Sequence, residues 1–460
     1  MKKIQETIQL VNSIEEQSGL IFNSHVSGIQ DLIVHYEKTN KGFSIVLKNE
    51  LVNKYDLGAT IPCEITILGI KYFSENALYI KQGMPNYISQ ETIAISNFQN
   101  FTDNEESEAK WHNIYLISEN LKLGYFRCIY DNVGNLNTEK VNLKINGINF
   151  SIWNVYDGKS TYFITECIDN IKNKDFEKIS FAICSAVGFL TGYFPQDQVY
   201  SFKYNSENEF SLISYRSLRQ SMSHSYRPIP TNPHSYIKNH DEAKKWNEKI
   251  DKIPTNLVEK FIEKLISEDK LLNSILLFQS SGKLGLELSP IAIVTAIEAL
   301  TSLAFDKVSP TKPINEASFD DLKVGFLKIL EEMKDKLTSE EYIFTSNKLK
   351  NINSPTNKDK LSIPFKKLGI NLSKYEEEAL DMRNKFLHGS LPFNKGNISR
   401  DKLDELKILH GYLLCYVNLY NSLLLRYIDY EGYVINYLFL FKELVLGTSE
   451  TDIFLKLPKT

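Results

Sequence analysis

Apolar residues change their spacing partway along this chain. From about residue 30 to 170 they come in short runs rich in Val, Ile, Tyr and Phe: LIVHYE, FSIVLK, CEITILG, LGYFRCIY, VNLKINGINFSIWNVY and TYFITE, parted by Asn, Gly and Asp. Such runs suit strands joined by turns, because β-branched and aromatic side chains pack well on a half-buried pleated surface. One helix interrupts them: Asp175 caps a segment in which Ile179, Ile183 and Val187 recur four apart until Pro195. VYSFKY and FSLISY then return to the strand pattern. Beyond residue 256 the period becomes about 3.6, the spacing of amphipathic helices. Helices are expected over 256–280, 289–305, 318–337, 339–350, 373–388 and 401–427, with loops at DKVSPTKPINE and NINSPTNKDK and a short β ending at YVINYLFLF. Between the two regimes, 220–256 is polar and carries Pro228, Pro230, Pro233 and Pro254, which reads as a linker or wrapping arm. The expected class is α+β: a β-rich region over 1–220, a connection over 221–255, and an all-α bundle over 256–460. No repeat or low-complexity tract is visible.

Composition narrows the function classes. With 460 residues, 42% hydrophobic and 24% charged, the chain has material for two or three cores and is not a disordered polymer. A pI near 6.1 argues against bulk cationic attraction to nucleic acid, though a local basic site stays open. Five cysteines (Cys63, Cys128, Cys167, Cys184 and Cys415) are odd in number and widely spaced, which points to reduced, buried thiols in the cytosol. Lys2 and Lys3 are soon followed by Glu6, Gln9, Asn12, Glu15 and Glu16, so no secretory apolar core appears. Tyr433–Phe441 is too short to span a bilayer, and 411–426 is interrupted by Asn418 and Asn421. A cytoplasmic protein without membrane contact is expected. Its 53 basic residues divide into 46 lysines and seven arginines, so each arginine is worth tracing.

The segment SKYEEEALDMRNKFLHGSLP, residues 373–392, has the clearest local grammar. Ser373 and Glu376 form a capping box, in which each side chain accepts an otherwise orphaned N–H. Glu376, Glu377 and Glu378 suit the positive end of the helix dipole. Tyr375, Ala379, Met382 and Phe386 make an apolar stripe, Gly389 is a C′ stop, and Pro392 prevents resumption. On this helix, expected over 374–388, sit Arg383, Asn384 and His388. A spacing of five residues leaves Arg383 and His388 about 140° apart around the axis, so one helix alone does not gather them. Two such helices facing across a two-fold axis would bring two arginines and two histidines into one cleft.

Arg383-Asn384-Lys385-Phe386-Leu387-His388 resembles the Arg-x4–6-His signature of HEPN domains, in the form with Asn after Arg. A β-rich region ahead of the helical bundle is similar to the ApeA-like group of anti-phage, abortive-infection proteins, and SPIAIVTAIEALTSLAF (289–305) resembles an earlier HEPN helix packed beside the motif helix. The resemblance implies a metal-independent endoribonuclease, without cofactor, that acts as a homodimer on RNA, with transfer RNA one candidate. It implies Arg383 and His388 as catalytic, with Asn384 assisting. A phage-derived trigger is expected, sensed or relayed by the β-rich region. Arginine offers a planar fork of donors to phosphate oxygens. Histidine at a helix C-terminus favours the imidazolium, which suits a general acid. Lys385, Lys395 and Arg400 are candidate RNA contacts, against the alternative of a solvated loop. Phe386 lies on the apolar stripe and reads as core rather than as a base-stacking ring. Glu298, in an otherwise apolar helix, needs a partner such as Arg383 or a lysine, or a place at the stripe's edge.

The bare pattern is common: a chain of this composition gives about 0.4 chance matches. Arg219 and His224 show the same spacing, but in a Ser-rich segment without cap, Asn or Gly stop. The competing reading of the bundle is a non-catalytic HEPN-like interaction module, with Arg383 paired to Glu377 or Glu378 and His388 capping its helix. Gly158-Lys159-Ser160 is not a phosphate-binding loop, because Trp153 stands where its first glycine belongs. His224, His234 and His240, with Asp241 and Glu242, lack a recognised ligand spacing for zinc.

Overall fold

Strands fill the first half of the chain and helices the second, in an α+β arrangement. The computed structural model describes residues 2–16, 24–26, 34–39, 42–47, 58–67, 69–82, 90–100, 107–117, 125–129, 133–135, 137–204, 209–217, 221–223, 226–307, 314–354, 356–389, 402–441 and 452–458. The contacts divide the chain into two units, Met1–Leu272 and Asn273–Thr460.

The first unit opens with α1 (Lys2–Glu15), then β1 (Ser24–Val26), β2 (Val34–Thr39), β3 (Gly42–Leu47), β4 (Thr60–Ile67), β5 (Ile70–Gln82), β6 (Gln90–Ile95) and β7 (Asn97–Gln99). It continues with β8 (Lys110–Ile117), β9 (Val133–Asn135), β10 (Thr138–Ile145), β11 (Ile148–Tyr156), β12 (Thr161–Cys167) and α2 (Asn173–Thr191). After these come β13 (Tyr193–Phe194), β14 (Gln198–Tyr204), β15 (Phe210–Arg216), β16 (Met222–Ser223), α3 (His240–Lys249) and α4 (Thr255–Ser267). Among the described residues one large antiparallel sheet runs β2-β3-β6-β5-β7-β15-β14-β8-β12-β11-β10-β9, with β4 joining β1 to β5. The β10–β11 hairpin turns on Asn146 and Gly147, both at positive φ, the turn that Asn-Gly favours.

Helices cover both faces of this sheet. On one face Ile4, Ile8, Val11 and Ile14 of α1 pack on Tyr72, Phe98, Ile114, Tyr162, Ile164 and Tyr200. The sequence reading did not anticipate α1, although its isoleucine and valine spacing is that of one helix face. On the other face Phe176 of α2 stacks on Trp111 and Phe150. Behind α2 lies α4, whose Val258, Phe261, Ile262 and Leu265 are buried, with Phe261 edge-on to Phe189. The change of period at 256 therefore precedes the unit boundary, because the first amphipathic helix is consumed by the sheet-bearing unit.

Other expectations shift similarly. In LGYFRCIY the described residues 125–129 form a turn, with Ile129 bridged to Ile253, and not a strand. The polar stretch 220–256 is packed where described: it contains α3 and buries Ile229, Ala243 and Ile253.

Across and beyond the boundary run α5 (Asp269–Ser281), α6 (Ser289–Lys307), α7 (Glu316–Glu332), α8 (Ser339–Asn351), α9 (Asn357–Lys367), α10 (Lys374–Leu387) and α11 (Lys402–Tyr427). β17 (Tyr433–Ile435), α12 (Tyr437–Phe441) and β18 (Phe454–Lys456) close the chain. The single helix expected over 256–280 is two, α4 and α5, parted at Glu268. NINSPTNKDK is not all loop: Thr356 and Asp359 make a capping box that starts α9. YVINYLFLF is a short strand followed by a helical turn. In this unit α11 packs on α6, α9 and α10 pack on α6, and α10 also packs on α11. The helices α6 and α11 are long and apolar enough to cross a membrane, yet 56% and 83% of those stretches are buried in the structure, as core helices are.

Candidate functional site

The helix α10 starts as its sequence dictates. The Ser373 N–H donates to Glu376 Oε2 at 2.8 Å, and the Glu376 N–H donates to Ser373 Oγ at 3.3 Å. His388 is the C-cap residue, its N–H donating to Asn384 O at 3.0 Å, and Gly389 follows at φ +70°. The buried positions are Ala379, Leu380, Arg383 and Phe386, while Tyr375 and Met382 are only half-buried. This departs from the expected stripe because α10 is wedged between α6 and α11, which cover a wider arc of it. On the α11 side the Tyr416 hydroxyl donates to Ala379 O at 2.7 Å, and Phe386 meets Tyr412 and Tyr416 edge-on. Burial pushes the Tyr416 hydroxyl well above the usual phenol range, so it stays a donor.

On the α6 side lies the charge. Arg383, 7% exposed, donates from Nε to Glu298 Oε1 at 3.2 Å and from Nη1 to Leu380 O at 3.1 Å. Of the partners weighed for Glu298, Arg383 is the one in place, and Glu377 and Glu378 do not take that role. Nη2 makes no hydrogen bond to a described residue. Arg383 and Asn384 line a cavity of about 430 Å³ together with Glu298, Thr301, Asp306 and Lys360. On its other side Arg383 reaches a cavity of about 270 Å³, with Lys366, Glu377 and Asp381.

The structure brings Arg383, Asn384 and Glu298 to one cavity and leaves His388 out of it. His388 is exposed at the helix end, and Lys385 is exposed beside it. Lys395 and Arg400 lie outside the described residues, as do Arg219 and His224. Lys360 and Asp306 entered the cavity unforeseen. The signal for Lys360 was the Thr-x-x-Asp cap of α9, which converts an apparent loop into a helix that packs on α6. Two other segments resolve into local structure. Asp157 Oδ1 accepts the N–H groups of Lys159 and Ser160, a turn closed on itself and not a phosphate cradle. The His234 and His240 rings lie 4.9 Å apart at a tilt of 33°, and no group of three or more metal-ligating side chains gathers among the described residues.

The chain matches no protein-family model, no curated protein and no solved structure.

Proposed function

We propose that this chain is a HEPN-type endoribonuclease, whose active site is completed by a second copy of the same helix. The reading rests on the conjunction at α10: a nearly buried guanidinium with a nitrogen that no described residue takes, beside an open cavity, an adjacent Asn384, and an exposed His388 on the same helix. Chemically, RNA supplies its own nucleophile. The 2′-hydroxyl gives its proton to a base, the partner's His388, and attacks the neighbouring phosphorus; the bond to the 5′-oxygen breaks, and a 2′,3′-cyclic phosphate and a 5′-hydroxyl result. His388 donates the proton that the leaving oxygen takes up, and Arg383 offers its Nη2 donors to a phosphoryl oxygen while Glu298 and Leu380 O hold the rest of the guanidinium in place. Asn384 orients the imidazole or a phosphate oxygen, and Lys385 meets the RNA backbone. Cytoplasmic anti-phage defence, with the sheet-bearing unit as restraint or sensor, is the biological setting of this reading.

The same observations carry a second reading, a non-catalytic interaction module. An arginine held by Glu298 and a backbone carbonyl is also a structural ion pair, and His388 stands apart from the cavity. Purified wild-type chain incubated with total RNA or transfer RNA in EDTA separates the two. The ribonuclease reading expects cyclic-phosphate ends, lost in both Arg383→Ala and His388→Ala. Intact RNA with wild type, or full cleavage by both folded variants, would overturn it.

A further inference from the structure

Among the described residues, nine of the sixteen large apolar side chains that stand exposed fall between Ile314 and Ile352, the α7–α8 hairpin. This hairpin is pinned. At its base Asn353 Nδ2 donates to Ile314 O while the Ile314 N–H donates to Asn353 Oδ1, each at 2.8 Å. At its turn the Tyr342 hydroxyl and the Lys334 ammonium both donate to Glu331. Asn315 caps α7 and Thr338 caps α8. The inner side of α7 buries Phe319 and Leu330. A separate stripe of Leu322, Phe326, Ile329 and Met333 stays open, at 46%, 39%, 56% and 44% exposure.

Spacings of four, three and four place those residues on one helical face. Val324, Ile343, Phe344 and Ile352 add to the exposed apolar surface of the hairpin. At roughly 60–100 Å² of apolar area each, the four side chains of the stripe present on the order of 250–400 Å², enough for the apolar centre of an interface of ~800 Å² per partner. That is comparable to the largest apolar patch of an ordinary monomer.

We propose that the Leu322–Met333 stripe is a homodimer seam, with α7 of one copy lying antiparallel to α7 of a second. A two-fold contact requires a patch complementary to itself. The four-three-four spacing reads the same in both directions, so an axis crossing α7 between Leu327 and Lys328 sets Leu322 against the partner's Met333 and Phe326 against the partner's Ile329. Antiparallel pairing also places opposite ends of the two helix dipoles together. The inference goes beyond the ribonuclease reading and stands without it.

The full chain tests it by sedimentation and light scattering over a wide concentration range. Twice the chain mass of 53.0 kDa is expected for wild type. Phe326→Glu with Ile329→Glu, which sets like charges against each other across the axis, should weaken the dimer at least ten-fold while leaving the melting temperature near wild type, since both positions are exposed. Leu322→Cys with Met333→Cys should give a covalent dimer under mild oxidation, and neither single variant should. Within one helix these positions lie about 16 Å apart, too far for an internal disulfide. A wild type that stays monomeric, or a dimer that survives the two introduced glutamates without cross-linking in the double-cysteine variant, would overturn the seam. The ribonuclease reading is scored separately by RNA cleavage: a seam confirmed without cleavage removes that reading alone, and cleavage with an intact dimer in the charge variant removes the seam alone.

Discussion

Each unit holds an arginine–glutamate pair, and the two are wired differently. In the sheet-bearing unit Glu177 receives Arg216, Asn113 Nδ2 at 3.2 Å and Ser201 Oγ at 3.4 Å. Its carboxylate is occupied from several sides by the sheet beneath α2, and although burial works against the charged guanidinium, the Glu177 carboxylate outweighs it and holds Arg216 in its charged form. In the helical unit Glu298 receives Arg383 through one oxygen at 3.2 Å, and the guanidinium keeps a nitrogen that no described residue takes. The side chains of Arg383 and Glu298 are 8% and 40% exposed, so the cation is sheltered and the anion wet. A carboxylate that receives three separate side chains locks its surroundings together. A pair that leaves donors facing a cavity can also bind something there.

The contrast is open to attack, most forcefully through activity. Arg383→Lys keeps a positive charge but loses the planar fork; the proposed RNA cleavage should then fall by about 10²–10⁴-fold with the fold intact by circular dichroism. Lysine working as well as arginine would reduce Arg383 to a point charge and put it on a level with Arg216.

A second test strikes the sheet-bearing unit through pH. His112 is fully buried, stacked on Phe202, with no hydrogen bond to either ring nitrogen, and burial pushes its imidazole down to about 3. The unfolded imidazole titrates near 6.5, so below that pH the unfolded state binds the proton that the folded state refuses. Stability is therefore lost as pH falls from 6.5 toward 3, by about 2 kcal/mol at pH 5 from this group. Urea unfolding at pH 7 and pH 5 measures it, and His112→Leu should remove close to one proton from the difference. An unchanged pH slope in that variant would place the sensitivity elsewhere.

Smaller effects sharpen the comparison between the glutamates. Glu177→Gln should cost about 1–3 kcal/mol in urea unfolding, because a buried network loses its charge, and should leave cleavage unchanged. Glu298→Gln should cost about 0–1 kcal/mol, as its carboxylate is well exposed, yet lower cleavage by loosening Arg383. Equal stability losses with no activity difference would mean that the two pairs serve the same structural purpose.

Local grammar was legible residue by residue. Ser373 with Glu376 announces the start of α10, Asn146-Gly147 the β10–β11 turn, and the Ile179–Ile183–Val187 spacing the helix α2, because each depends on bonds or sterics within a few residues. Where reading failed, the missing information was what lies opposite. LGYFRCIY has strand composition, but its described residues settle as a turn against Ile253, more than a hundred residues away. NINSPTNKDK has the Pro and Asn content of a loop, yet its Thr356–Asp359 cap starts a helix that only packing on α6 sustains. The helix at 255–267 has ordinary bundle periodicity, and only its contact with α2 assigns it to the sheet.

From sequence alone came the α+β order, the motif helix with its ends, and the choice of Arg383 and His388 among seven arginines and eight histidines. Tertiary structure decided that Arg383 turns inward to Glu298 while His388 stays outside, and that Lys360 and Asp306 share the cavity. It also left an apolar stripe on α7 uncovered. Periodicity records which face of a helix is apolar, since that is a property of spacing along the chain. Which neighbour covers a face, and which charge it meets there, depends on residues distant in sequence, and these are chosen only when the elements pack.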